Sequence, residues 1–177
     1  WILRRLAPKT HQSVWGMYAR WLLNLPAAQT GKRSAKWFYE EVLDQRLSQT
    51  EFEEWVMKPY AQRAEISKPI LHELGRLKKK GWNLAVLSDM NTAQAEFHRT
   101  KKHFAMFDEV YLSCETGMMK PFPWVYQALE KRLRTRKDHI VFADDFWVNT
   151  WAATALGWRA VTLKGERQLL RFLHDLE

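Results

Sequence analysis

Between Ile140 and Gly157 the chain sets a strand, an acid pair and a helix in immediate succession. Ile140 to Ala143 is a short, uninterrupted apolar run, the pattern of a strand buried on both faces in a parallel sheet. It stops at two adjacent carboxylates, Asp144 and Asp145. Beyond them Ala152, Ala153 and Leu156 share one face of a helix that Gly157 would end. In an open α/β sheet, ligands bind outside the carboxyl ends of the strands. Two neighbouring acids at such a tip repel each other, and a divalent cation would offset that repulsion. Magnesium suits the position, since it favours hard oxygen donors and takes one or two carboxylates with water and phosphate. The same two residues could instead serve as an N-cap and a first-turn acid.

The rest of the chain decides what surrounds this unit. From Lys68 onward helices alternate with short apolar strands. Pro69 opens a helix with Ile70, Leu71, Leu74 and Leu77 in one stripe, and Lys78 to Lys80 complement its C-terminal dipole. Asn83 to Leu87 reads as a strand that ends in Ser88 and Asp89, and Thr92 starts the next helix. Glu109 to Leu112 is a further strand. Gly117 to Pro123 is a loop stiffened by two prolines, and a helix from Trp124 to Leu133 follows it. Ala160 to Leu163 and Arg167 to Leu176 supply a last strand and a closing helix. Strands separated by helices imply right-handed crossovers and a parallel sheet.

Residues 1–67 carry no alternating pattern and read as helical. Val14, Trp15, Tyr18, Leu22 and Leu25 follow the helical period, with Pro26 expected to close the helix. Ser34 is the expected cap of a second helix and Thr50 of a third, which Pro59 should end. Their aromatics are expected in a small core. The fold class is therefore α/β: a Rossmann-like parallel sheet over 68–177 with a small N-terminal helical cap over 1–67.

Composition limits the function classes. A chain of 177 residues, 46% hydrophobic and 27% charged, suits one globular domain or a core with a cap. Its single cysteine, Cys114, excludes an intrachain disulfide and points to a reducing, cytoplasmic setting. No apolar run approaches the roughly 18–20 residues of a membrane span. The six histidines show no zinc-ligand spacing. The net charge is +8, and seven basic residues precede the first acid, Glu40. Such a segment could meet nucleic acid, an anionic membrane or a phosphorylated substrate. No nucleic-acid motif accompanies it, so a solvated surface is the simpler reading. Ten tryptophans leave room for a homodimer interface.

Three loops now stand at strand ends: Ser88-Asp89, Lys120 and Asp144-Asp145. The arrangement resembles the haloacid dehalogenase-like hydrolases. Leu84-Ala-Val-Leu-Ser88 matches that family's strand ending in Ser or Thr. Gly117-Met-Met-Lys120-Pro-Phe-Pro-Trp-Val-Tyr126 matches its lysine loop. Asp144, Asp145, Asn149, Ala152-Ala153 and Leu156-Gly157 match its paired-acid strand and the helix after it. The resemblance is strong over residues 68–165, and the helical segment before it resembles the family's inserted cap. It implies a magnesium-dependent phosphatase for a small phosphorylated metabolite, working through an aspartyl-phosphate. By that resemblance Ser88 would donate a hydrogen bond to the transferring phosphoryl group and Lys120 would neutralise it. Asp144 and Asp145 would hold Mg2+, Asn149 would orient the acidic loop, and Asp89 would sit near the substrate as a helix-cap residue.

The departures from the family are as informative. Its nucleophile belongs to an Asp-x-Asp motif on a strand between the Ser88 strand and the Asp144 strand, and this chain has no Asp before Asp44. A vacant slot would leave a gap of about twice the 4.8 Å strand spacing. The expectation is that roughly 10–20 further residues lie upstream in the natural protein, enough for one strand and its loop. The alternative is a non-catalytic binding module in which the two strands close up and pair, and whose basic helices meet an acidic partner or nucleic acid. Phe122, Phe146 and Trp147 also stand where the family commonly has small or polar residues.

Overall fold

The structure is a computed structural model, and residues 1–176 are described. In chain order the helices are α1 (Ile2–Leu6), α2 (Val14–Gln29), α3 (Ala35–Leu43), α4 (Gln49–Phe52), α5 (Lys58–Ala61) and α6 (Lys68–Lys79). Strand β1 (Ala85–Ser88), α7 (Thr92–Thr100), β2 (Glu109–Leu112), α8 (Ser113–Thr116) and α9 (Pro123–Leu133) follow. Strand β3 (Val141–Asp144), α10 (Trp147–Ala155), β4 (Arg159–Thr162) and α11 (Glu166–Asp175) complete the mixed α/β, Rossmann-like fold. Among the described residues no helix is long and apolar enough to cross a membrane.

The chain forms two compact units, and both are discontinuous in sequence. The first comprises Trp1–Glu65, Asp89–Lys102 and Leu112–Gly117. Its core is Leu6, Met17, Phe38, Val42, Leu43, Phe52 and Val56, with Trp21 edge-on to Phe38 at 4.8 Å between ring centroids. The later segments are fastened to it by side-chain bonds. Tyr60 Oη lies 2.8 Å from His98 Nε2, and burial pushes the Tyr60 hydroxyl up to about 12. Gly31, with φ +72°, lets its turn press on Cys114: a Cβ there would sit 2.1 Å from the Cys114 carbonyl oxygen.

Several boundaries in this unit differ from the expectation, each for a local reason. Helix α2 continues past Pro26 to Gln29. Proline removes only its own N–H, and the Pro26 carbonyl accepts from Thr30 N at 3.0 Å. The third helix starts two residues early, on a capping box: Ser48 Oγ accepts from Glu51 N at 3.1 Å and Glu51 Oε2 from Ser48 N at 2.8 Å. It also runs through Pro59, because a π-helical stretch over Glu53–Met57 precedes the residue that cannot donate. Most of the α2 stripe is not core. Val14, Trp15, Tyr18 and Leu22 are exposed, while Met17 and Ala28 on the adjoining side are buried.

The second unit comprises Ile66–Ser88, His103–Tyr111 and Met118–Glu177. Strands β3 and β4 pair in parallel, with Val141 opposite Arg159 and Asp144 opposite Thr162. Strands β1 and β2 are neighbours in a separate two-stranded sheet. Thus β1 and β3 do not pair among the described residues, and the closed-up arrangement is not the one adopted. One core, built on Tyr111, Val125, Tyr126, Leu129, Ala153 and Trp158, places α9 and α10 against the strands. Another joins α6 to α11 through Leu77, Leu84 and Leu173. Arg76 closes that contact by donating to the last carbonyls of α11, at 2.6 Å to Leu173 O and 3.2 Å to His174 O.

Candidate active site

The second unit brings the strand ends together around one ion pair. Lys120 Nζ donates to Asp144 Oδ2 at 2.6 Å and to the Leu87 carbonyl at 3.1 Å. The ammonium therefore links the tip of β1, one residue before Ser88, to the tip of β3. Both side chains are nearly out of solvent, at 9% and 7% exposure. A pair this buried is tolerated only where further hydrogen bonds satisfy the ions. Asp144 has them: its Oδ1 accepts from Phe146 N at 2.8 Å and from Asn149 Nδ2 at 3.0 Å.

Helix α10 holds Asn149 in place. Asn149 is buried, and its carbonyl accepts from the hydroxyl of Tyr126 at 2.9 Å. Tyr126 lies in the first turns of α9 and is fully buried. Thr150 Oγ1, next to Asn149, meets Thr162 Oγ1 on β4 at 2.6 Å. The paired acids are not the cap of α10, whose N-cap is Phe146 with no side-chain cap bond. Nor do Ser88 and Asp89 cap α7. Asn91 does so, in a capping box with Gln94.

The two acids are unlike. Asp144 is enclosed and accepts three hydrogen bonds. Asp145 is exposed and makes no hydrogen bond or ion pair among the described residues. Ser88 closes β1, half-buried, and its hydroxyl also lacks a protein partner there. Asp89 is half-buried and begins a segment that belongs to the first unit. The structure thus gathers Lys120, Asp144 and Asn149 through direct bonds and leaves Ser88 next to Leu87 and Asp145 next to Asp144 in sequence.

Among the described residues no group of three or more His, Cys, Asp or Glu is placed to hold a metal ion. The acids still fit magnesium, which usually takes one or two carboxylates and completes its shell with water and phosphate. A carboxylate offers about four lone-pair sites. Asp144 retains one, on Oδ2, and Asp145 all of its own. Sequence reasoning missed two supports of the site: the Leu87 carbonyl under Lys120 and the Tyr126 bond to Asn149. In both the acceptor is backbone, which leaves no trace in residue type.

Comparison with known proteins agrees with this geometry. The haloacid dehalogenase-like hydrolase family matches residues 13–157. Bifunctional epoxide hydrolase 2 of Rattus norvegicus is 29% identical over 119 residues, which is 63% of this chain and 21% of that protein. The Mus musculus protein of the same name is 29% identical over 116 residues. The chain thus spans about a fifth of the length of the curated relatives it matches. A HAD-like family hydrolase from Porphyromonas gingivalis shares the fold at TM-score 0.77 and 19% identity, covering 99% of this chain and 90% of that one. A HAD family enzyme from Bacteroides thetaiotaomicron, crystallised with magnesium and inorganic phosphate, does so at TM-score 0.75 and 20% identity, covering 93% and 86%. A family match across most of the chain, on a site built at two strand ends and the Lys120 loop, has one consequence: this protein belongs to the haloacid dehalogenase-like hydrolases.

Proposed function

We propose that this chain belongs to a magnesium-dependent phosphatase for a small phosphorylated metabolite. The observation that carries the reading is the Lys120–Asp144 pair, buried at 2.6 Å and tied to the tip of β1, with an unpaired acid at Asp145. A buried cation between two strand tips is an electrostatic anchor for phosphate, worth most where water is excluded. The Bacteroides relative's complex with magnesium and inorganic phosphate is of the kind expected from this reading.

In this proposal Ser88 donates its hydroxyl proton to a phosphoryl oxygen, and Lys120 neutralises charge on the phosphoryl group and on the nucleophile. Asn149 and the Phe146 N–H hold Asp144 in one orientation. Asp144 and Asp145 would hold Mg2+, which supplies screening between anionic substrate and anionic nucleophile. Asp89 would stand at the substrate's edge. The nucleophile would be an Asp on a strand lying between β1 and β3, forming an aspartyl-phosphate that water then hydrolyses. The separation of β1 and β3 into two sheets supports a place for such a strand.

Two measurements test this. Calorimetry should show inorganic phosphate binding to the 177-residue chain in the presence of Mg2+, and Asp145→Asn should weaken it. The chain alone should release no phosphate from phosphomonoesters, whereas a chain extended by an Asp-bearing strand should. Robust turnover by the 177-residue chain would overturn the assignment of the nucleophile. Absence of phosphate binding would overturn the phosphatase reading itself.

A further inference from the structure

The two segments that build the site also carry five exposed aromatic rings that the chemistry above does not use. Phe122 and Trp124 follow Lys120 at 45% and 51% exposure. Phe146, Trp147 and Trp151 follow Asp144 at 55%, 63% and 66%. Large rings left in water forfeit their apolar burial, and contiguous patches of them mark interaction sites.

The segments that carry these rings are tied together. The segment from Lys120 to Tyr126 and the segment from Asp144 to Asn149 are bonded to each other at both ends. Lys120 meets Asp144 at one end, and Tyr126 meets the Asn149 carbonyl at the other. Phe122, Trp124, Phe146 and Trp147 lie between those two ties. Trp151 is one helical turn beyond Trp147, on the same face of α10. Phe122 and Trp124 are already stacked, with centroids 4.6 Å apart and planes within 6°. A flat double ring is thus prepared within four residues of the ammonium.

Charge selects among occupants. No Lys or Arg occurs from Pro121 to Glu130 or from Asp145 to Trp158, and Asp145 and Glu130 are acidic. A nucleic acid or an anionic membrane would find no cation among these rings. Lys120, buried and at the start of the first ring-bearing segment, suits a ligand with its charge at one end and a flat, uncharged body at the other.

We infer that these rings form a stacking platform for the leaving group, so that the preferred substrate is a phosphomonoester of an alcohol bearing a planar aromatic or heteroaromatic group. This rests on the phosphatase reading. The phosphate would lie at Lys120 and Ser88, and the planar group on Phe122, Trp124 and Trp147.

The test is calorimetric binding of three probes to the 177-residue chain in Mg2+ buffer: 1-naphthyl phosphate, glycerol phosphate and inorganic phosphate. Naphthyl phosphate should bind about tenfold or more tightly than glycerol phosphate of the same charge. Excess inorganic phosphate should displace it. Trp124→Ala and Trp147→Ala, both at exposed positions, should each cut the naphthyl-to-glycerol ratio several-fold. Equal affinity for the two esters, with inorganic phosphate still bound, overturns this inference and leaves the phosphatase reading standing. Naphthyl phosphate that inorganic phosphate cannot displace overturns it as well, since the rings would then be a separate site. So does a Trp147→Ala variant that turns a dimer into a monomer with the ratio unchanged, because the rings would then seat a second copy. Failure of all three probes to bind removes the phosphatase reading and this inference together.

Discussion

Two lysine–aspartate pairs in the second unit are built alike and do different things. Lys78 donates to Asp108 Oδ1 at 2.8 Å and to the Met106 carbonyl at 2.9 Å, while Asp108 Oδ2 accepts from Leu84 N at 2.9 Å. Lys120 repeats the pattern with Asp144, the Leu87 carbonyl and the Phe146 N–H. The first pair stands where β1 and β2 begin, the second where β1 and β3 end. The first is more than a third exposed on both sides, and the second is almost wholly enclosed. Similar donors and acceptors are therefore a solvated staple at one end of the strands and a candidate anchor for phosphate at the other. Burial and the unpaired acid beside Asp144 make the difference.

The largest expected effect follows directly. Lys120→Met would leave Asp144 buried without its cation and should cost about 3–5 kcal/mol of stability. Lys78→Met, at a solvated pair, should cost about 0–1 kcal/mol. Urea denaturation of the two variants measures both, and equal losses would break the comparison. A second test sharpens it, because only the buried pair has a brace behind it. Tyr126→Phe removes the hydroxyl that satisfies the Asn149 carbonyl and nothing else of its shape. It should cost about 1–2 kcal/mol. It should also weaken inorganic phosphate binding, as Asn149 loosens its hold on Asp144.

How much of this was legible in the sequence depends on whether the partner of each residue has a side chain to read. Ser88, Lys120 and the acid pair could be found because their residue types and order are distinctive. That Asp144 is enclosed and Asp145 free could not, since two adjacent aspartates look identical until the chain turns between them. Helix α2 shows a different limit. Its period was readable but its buried face was not, because Met17, Trp21, Leu25 and Ala28 make a second apolar stripe beside Val14, Trp15, Tyr18 and Leu22. A helix apolar on most sides does not say which side packs. Breaks at Pro26 and Pro59 were over-read for a related reason: a missing N–H ends a helix only where the chain cannot absorb it.

Acid sharpens the solvated half of the comparison. The Lys78 hydrogen bond, then the Leu84 N–H, hold the Asp108 carboxyl below the usual carboxylate range. Arg76 does the same for Glu73, and the Leu47 N–H, followed by Arg46, for Glu40. Each binds a proton less readily folded than unfolded. Their contribution is therefore complete above the ordinary carboxylate value and is lost as pH falls through the lowered one. Stability should decline in acid below about pH 4. Asp108→Asn should flatten part of that slope, and added salt should do likewise, since Lys78 and Asp108 are both more than a third exposed and so are screened. A slope unchanged in Asp108→Asn would show that the staple does not hold the strand starts.

The smallest effect applies the same rule, that enclosure and not residue type sets the worth of a contact, to side chains without charge. Trp15 and Leu23 are among the most exposed apolar residues of the molecule, at 82% and 80%, while Met17 on the same helix is at 0%. Trp15→Gln and Leu23→Gln should each change stability by no more than about 0.5 kcal/mol, glutamine being no worse a helix former than the residues it replaces by more than a few tenths. Met17→Ala should cost about 2–5 kcal/mol. A Leu23→Gln loss as large as that of Met17→Ala, and dependent on protein concentration, would mean that the α2 face is covered in solution by a second copy of the chain. The solvated side of the molecule would then begin elsewhere than at α2.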